Sequence, residues 1–293
     1  MSLFKGSGVA VVTPFTDENQ VNYDKLGELL DWHVKMGTDA IIIVGTTGEA
    51  PTLDDEEHKE VVRFTVERIA GKIPVIAGTG SNSTAHAIMM SKHAEEAGAD
   101  GVLLVSPYYN KSTQHGLIKH FEAIADSIKI PCVLYNVPGR TGININPETI
   151  GALAKHPNIV GVKEASGNIS QVVEIARIMP EDFGLWSGND DMIVPLLSVG
   201  GHGVISVVAN IMPTETHDMV MHYLEGRVKE SLKLQLDMKP VIDALFCETN
   251  PVPVKEAMNL MGHKVGDLRL PLVGMLEQNK ARLKNELSAM NLL

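Results

Sequence analysis

One lysine closes an apolar run, in Ile159-Val160-Gly161-Val162-Lys163-Glu164-Ala165-Ser166. Val160, Gly161 and Val162 read as a short buried strand with Lys163 at its end. An ammonium there loses hydration, and the group is pushed toward its neutral form. A neutral lysine is a nucleophile, suited to forming a Schiff base with a carbonyl. The same position also suits an ion pair with Glu164 or another carboxylate at a strand mouth, and this stretch alone favours that reading. Thr46, Thr47, Tyr108, Tyr109, Tyr135, Arg140 and Ser187 also follow apolar runs. Taken singly, Thr46-Thr47 suits a helix cap, Tyr108 and Tyr109 suit a packed turn, and Arg140 suits the surface of a Gly/Pro loop. Taken together with Lys163 they suit carbonyl chemistry on an acidic substrate. The hydroxyls would move protons and the guanidinium would grip a carboxylate.

For these residues to meet, the elements before them must be parallel strands with their C-terminal ends on one side. The expected strands are Gly8–Val12, Ala40–Val44, Ile73–Ala77, Val102–Val105, Cys132–Leu134, Val160–Val162, Phe183–Trp186 and Val204–Val207. Helices are expected between them, over Asn22–Met36, Asp54–Ala70, Thr84–Ala97, Thr113–Ser127, Pro147–Lys155, Ile169–Met179 and Asp191–Val199. The strands are near-continuously apolar, as in a parallel sheet covered on both faces. Eight β/α units without a linker predict an α/β fold, a (β/α)8 TIM barrel over residues 1–224, whose active site lies at the strand C-termini. A doubly wound open sheet is the runner-up, but its nucleotide fingerprint is missing. Beyond Pro213 the chain reads as helical, so residues 225–293 form an additional C-terminal helical region that covers the barrel or builds a subunit interface.

Net charge is -11 over 293 residues. That argues against nucleic acid or an anionic membrane as a main partner. No apolar run reaches membrane-spanning length, and the start at Met1-Ser2-Leu3-Phe4-Lys5-Gly6 lacks the pattern of a signal peptide. Cys132 and Cys247 are too few for a disulfide framework, so a cytoplasmic address with free thiols is expected. The eleven histidines show no paired metal-ligand spacing, so no metal and no cofactor are expected. His58 on Asp54-Asp55-Glu56-Glu57-His58 reads as solvated, and Gly78-Thr79-Gly80-Ser81-Asn82-Ser83 resembles a phosphate loop only loosely.

Three motifs are similar to those of the pyruvate-dependent class I aldolase family: Gly45-Thr46-Thr47-Gly48-Glu49, Tyr135-Asn136-Val137-Pro138 with Arg140-Thr141-Gly142, and Gly161-Val162-Lys163-Glu164-Ala165. The resemblance covers essentially the whole chain, including Asn250-Pro251-Val252-Pro253-Val254-Lys255. It implies the eightfold barrel, with Lys163 forming an imine with pyruvate. It further implies a proton relay of Thr47, Tyr135 and Tyr109, with Tyr109 reaching into a neighbouring subunit's site. Thr46 and Thr47 would hold the pyruvate carboxylate, and Gly188 and Ile205 would contribute backbone near the lysine.

Arg140 points to the branch of that family that joins pyruvate to aspartate semialdehyde, on the way to lysine and diaminopimelate. There the arginine holds the second substrate's carboxylate. A sister branch that cleaves 2-keto acid sugars is the alternative. The family implies a homo-oligomer, most often a tetramer built as a dimer of dimers. Some members bind lysine as an inhibitor at a subunit interface. Asn82, His58 and Tyr108 match that pattern, but Asp55 stands in place of a histidine and His86 in place of a glutamate, so weak or absent lysine inhibition is expected.

Overall fold

Eight short parallel strands pair in sequence order and close on themselves. They are β1 (Gly6–Ala10), β2 (Ala40–Ile43), β3 (Val75–Gly78), β4 (Gly101–Val105), β5 (Cys132–Asn136), β6 (Ile159–Glu164), β7 (Gly184–Ser187) and β8 (Gly203–Ser206). Closure comes from β8 on β1, with Gly6 opposite Gly203 and Gly8 opposite Ile205. The architecture is that of a computed structural model describing residues 3–293. Met1 and Ser2, where the stretch read as lacking a leader begins, lie outside the described residues.

The outer ring comprises α1 (Tyr23–Lys35), α2 (Asp55–Ile69), α3 (Thr84–Glu96), α4 (Gln114–Ala125), the short α5 (Pro138–Thr141), α6 (Pro147–Leu153), α7 (Ile169–Ile178), α8 (Ile193–Leu197) and α9 (Pro213–Leu224). Side-chain caps start several of them. Asn22 accepts from the Lys25 N–H at 3.0 Å. Asp54 and Glu57 form a reciprocal capping box on α2. The cap of α2 is therefore Asp54, not Thr46 or Thr47, whose hydroxyls are left for the barrel mouth.

Strand periodicity sorts the core into layers. Ile41 and Ile43 pack outward against helices, in a cluster with Val75, Ala77, Val102 and Leu104. Ile42, Ile76, Leu103, Val133, Tyr135, Trp186 and Ile205 fill the interior. Trp186 is fully buried and stacks on Phe4 at 5.0 Å. A Cβ on Gly161 or Gly184 would lie 2.5 or 2.1 Å from its indole, so both positions need glycine to admit the ring. Truncating such a side chain costs about 3–5 kcal/mol.

Several boundaries differ from expectation. β1 begins two residues earlier and ends at Ala10, with the Val11 N–H still donating to the Ile42 carbonyl of β2 at 3.1 Å. Val11 and Val12 stay buried, but the Val12 N–H donates to Asn210 Oδ1 at 3.2 Å instead. Tyr135 and Asn136 lie inside β5, and Pro138–Thr141, expected as loop, is a helical turn.

The tail holds α10 (Val228–Leu245), α11 (Val252–Leu260) and α12 (Glu277–Ala289). They share an apolar cluster with Val12, Val204, Val208 and α9. Lys255 fastens α11 to the barrel. Its Nζ donates to Thr13 O at 3.1 Å and Asp267 O at 2.6 Å, and meets Glu49 Oε1 at 2.8 Å. Both ends of that ion pair are sealed from solvent.

Candidate active site

Alternation along β6 decides what Lys163 touches. Lys163 points into the barrel and its neighbour Glu164 points out. Glu164 accepts from Asn136 Nδ2 at 2.9 Å, Gln171 Nε2 at 3.2 Å and the Ser166 N–H at 2.6 Å. The ion pair with Glu164 that the sequence allowed is thus absent, since a one-residue step in a strand reverses the side.

Lys163 is 6% exposed, and its Nζ lies 4.3 Å from the centroid of the Tyr135 ring. Burial pushes its pKa down to about 7, Arg140 adds to the fall, and the Asp190 carboxylate opposes it. Asp190 is buried after β7, where Oδ2 accepts from the Val207 and Val208 N–H groups at 3.1 and 2.8 Å. Burial raises its pKa to about 6. The Tyr135 phenol is pushed upward by burial, with Arg140 and the Thr46 hydroxyl working against the rise.

The other expected residues divide into those the fold gathers and one it leaves apart. Thr46 faces the Tyr135 phenol, so the threonine beside the tyrosine is Thr46. Thr47, 2% exposed, accepts from Asn250 Nδ2 at 3.0 Å. Arg140 stands at the open side, where Nη2 donates to the Asn250 carbonyl at 3.0 Å. A Cβ on Gly188 would lie 3.0 Å from Lys163 Cε, so the missing side chain makes room for the lysine stem. Ile205 is 1% exposed in the interior layer of β8. Tyr109 stands apart, 91% exposed, with φ of +70°.

Asp190 and Asn250 were not assigned from sequence. Asp190 carried a usable signal, since it follows a strand end. Asn250 carried none of its own beyond its place in a motif, because it lies in the helical tail 110 residues from Arg140.

His58, read as solvated, is half-buried with Nε2 sealed off and unpartnered, and burial pushes its pKa down to about 4. The turn after β3 is no phosphate cradle, since the Thr79 and Gly80 N–H groups both donate to Leu103 O at 3.1 and 3.3 Å. Asp55 and His86 meet each other, with Oδ1 and Nε2 at 2.9 Å. Cys132 and Cys247 are free thiols. Among the described residues no helix is long and apolar enough to cross a membrane.

A buried amine of lowered pKa, a phenol, two threonine hydroxyls and a guanidinium lie around one mouth. The set can capture a carbonyl as an imine, move protons beside it and hold a carboxylate.

Known proteins are similar to this chain along nearly its whole length. A family model described as the Dihydrodipicolinate synthetase family matches residues 3–290. A 4-hydroxy-tetrahydrodipicolinate synthase of Caldicellulosiruptor bescii is 59% identical over 287 residues, covering 98% of this chain and 97% of its own. One from Clostridium novyi is 60% identical over 291 residues, covering 99% and 98%. The solved dihydrodipicolinate synthase of Aquifex aeolicus has a TM-score of 0.97 at 44% identity, covering 99% of each chain.

Proposed function

The chain belongs to the dihydrodipicolinate synthetase family, and on that premise we propose that Lys163 captures pyruvate and Arg140 grips the second substrate. The activity is that of a lyase, 4-hydroxy-tetrahydrodipicolinate synthesis from pyruvate and L-aspartate 4-semialdehyde. The observation that carries the assignment of roles is the buried Lys163 beside Tyr135, its pKa lowered to about 7 by burial.

In this reading the Lys163 amine attacks the keto carbon of pyruvate and water leaves, giving an imine. The imine withdraws electrons, so the pyruvate methyl loses a proton and an enamine forms. The enamine carbon attacks the aldehyde. The substrate's own amine then attacks the imine carbon, closes the ring and releases Lys163.

Tyr135 moves the protons, partnered by Thr46, whose hydroxyl faces the phenol. Thr47 then holds the pyruvate carboxylate with Thr46, rather than serving in the relay. Gly188 and Ile205 supply backbone beside the lysine, and Arg140 supplies a two-pronged hold on the aldehyde's carboxylate. Tyr109 completes the relay from a neighbouring subunit. Its 91% exposure leaves the ring available to a second chain. A homotetramer built as a dimer of dimers suits that arrangement, and a cytoplasmic address suits the free thiols. Residues 1–224 are the catalytic barrel and 225–293 the helical region packed on it.

Intact mass after pyruvate and borohydride tests the lysine. One reduced pyruvate adduct per chain is expected on the wild type and none on Lys163→Ala. An adduct that survives in the variant, or none on the wild type, overturns the assignment. Arg140→Ala is expected to raise KM for the aldehyde while leaving the adduct intact.

A further inference from the structure

Asn250 touches two of the assigned residues with different atoms. Its side-chain Nδ2–H donates to Thr47 Oγ1 at 3.0 Å, and its backbone carbonyl accepts from Arg140 Nη2 at 3.0 Å. The residue is 5% exposed, and its Oδ1 is buried without a partner. A matched pair of bonds would explain a buried amide as structural glue. An amide with one unmatched end is poor glue, since an unmet buried acceptor is unfavourable.

We propose that Asn250 is a positioning residue that sets the polarity of the Thr47 hydroxyl. A threonine hydroxyl has one proton and two lone pairs. The amide N–H occupies a lone pair of Thr47, so the threonine proton is free to donate on its other side. A carboxylate accepts only. The hydroxyl that holds the pyruvate carboxylate must therefore donate, and Asn250 orients it to do so before the substrate arrives. This deepens the reading above and rests on its assignment of Thr47 to the pyruvate carboxylate. The backbone contact to Arg140 is independent of the side chain, so a substitution at 250 separates the two substrates.

Asn250→Asp is nearly isosteric and reverses the bond. The carboxylate takes the Thr47 proton and leaves lone pairs facing the pyruvate anion. Asn250→Ala removes the bond without reversing it. Half-saturation by pyruvate in borohydride trapping is expected to rise at least tenfold in Asn250→Asp and less in Asn250→Ala. KM for the aldehyde should stay within threefold in both.

The added negative charge of Asp is controlled by repeating the change in Thr47→Val. There the reversal has no hydroxyl to act on, so Asn250→Asp should raise half-saturation no more than threefold further. A full tenfold rise in that background assigns the effect to charge repulsion and overturns the proposal. So do pyruvate half-saturation within threefold of wild type in Asn250→Asp, and parallel rises for pyruvate and the aldehyde in Asn250→Ala. Absence of any adduct on the wild type is a different failure, that of the Lys163 reading itself.

Discussion

Lys163 on β6 stands directly opposite Tyr135 on β5, and the register of those two strands sets the lysine nitrogen 4.3 Å from the phenol ring. An ammonium over an aromatic face gains about 0.5–2 kcal/mol, which by itself would keep the lysine charged. The pKa nevertheless falls to about 7, because loss of hydration, helped by Arg140, outweighs the Asp190 charge. The tyrosine sits beside an amine that is half free near neutral pH.

That balance predicts a pH profile. The free amine gains population as pH rises through about 7, so the rate of pyruvate capture should rise over the same range. Asp190 opposes the fall in the lysine pKa. Asp190→Asn keeps an acceptor for the backbone N–H groups but removes the charge, and it should move the rising limb to lower pH. Stopped-flow trapping between acid and neutral pH reads the limb directly, and an unmoved limb would exclude Asp190 as its electrostatic partner.

The same shift predicts that function is held here at a cost in stability. The folded pKa lies below the ordinary lysine value of 10.5, so the unfolded chain binds more protons between about 7 and 10.5. The destabilisation from Lys163 is therefore full below pH 7 and fades as pH climbs toward 10.5. Lys163→Met should abolish the adduct yet raise stability by about 1–4 kcal/mol at pH 7. Urea unfolding at pH 7 and pH 10 checks this, because the gain should shrink at the higher pH.

Gly188 gives a steric prediction. An added Cβ would lie 2.7 Å from the Ala165 Cβ and 3.0 Å from Lys163 Cε. Gly188→Ala should push the lysine stem aside and slow pyruvate capture by about 10²-fold, the scale of an ångström misplacement. A first-order trapping rate within threefold of wild type would contradict it.

The Lys255–Glu49 pair carries a folding prediction. Glu49 directly follows the Thr46-Thr47-Gly48 turn, and its other oxygen accepts from the Arg269 N–H at 3.0 Å. Lys255→Met would strand a buried carboxylate and cost about 3–5 kcal/mol. Adding Glu49→Gln removes the stranded charge, so the double variant should regain a large share of the loss. Denaturant midpoints of the single and double variants decide the matter.

Asp55 and His86 lead to a regulatory prediction. Each occupies the other at 2.9 Å, and the histidine holds the Asp55 carboxyl below its usual range. With a histidine where the lysine-sensitive pattern has a glutamate, an incoming ammonium lacks its charge-assisted partner. Inhibition by free lysine should be weak or absent. Potent inhibition at micromolar lysine in a turnover assay would refute it.

Much of this molecule is written locally. The apolar runs of β2, β4 and β5 and the capped, amphipathic α1 and α2 are read from neighbouring residues, because period, capping and turn chemistry act over a few positions. The repeated alternation then implies the barrel, and the barrel implies that Thr46, Tyr135, Lys163 and Gly188 share one mouth. What the sequence left open depends on residues far apart in the chain. It allowed Lys163 an ion pair with Glu164, and strand alternation turned the carboxylate toward Asn136 and Gln171. It read His58 as solvated, and packing half-buried the ring and sealed off its Nε2. The family resemblance implied roles for both threonines without saying what each touches, and folding brought the Thr46 hydroxyl to Tyr135 and Thr47 to Asn250, 203 residues away. Burial, register and the pKa of Lys163 are properties of the closed barrel with its helical tail, since desolvation exists only once distant segments have excluded the water.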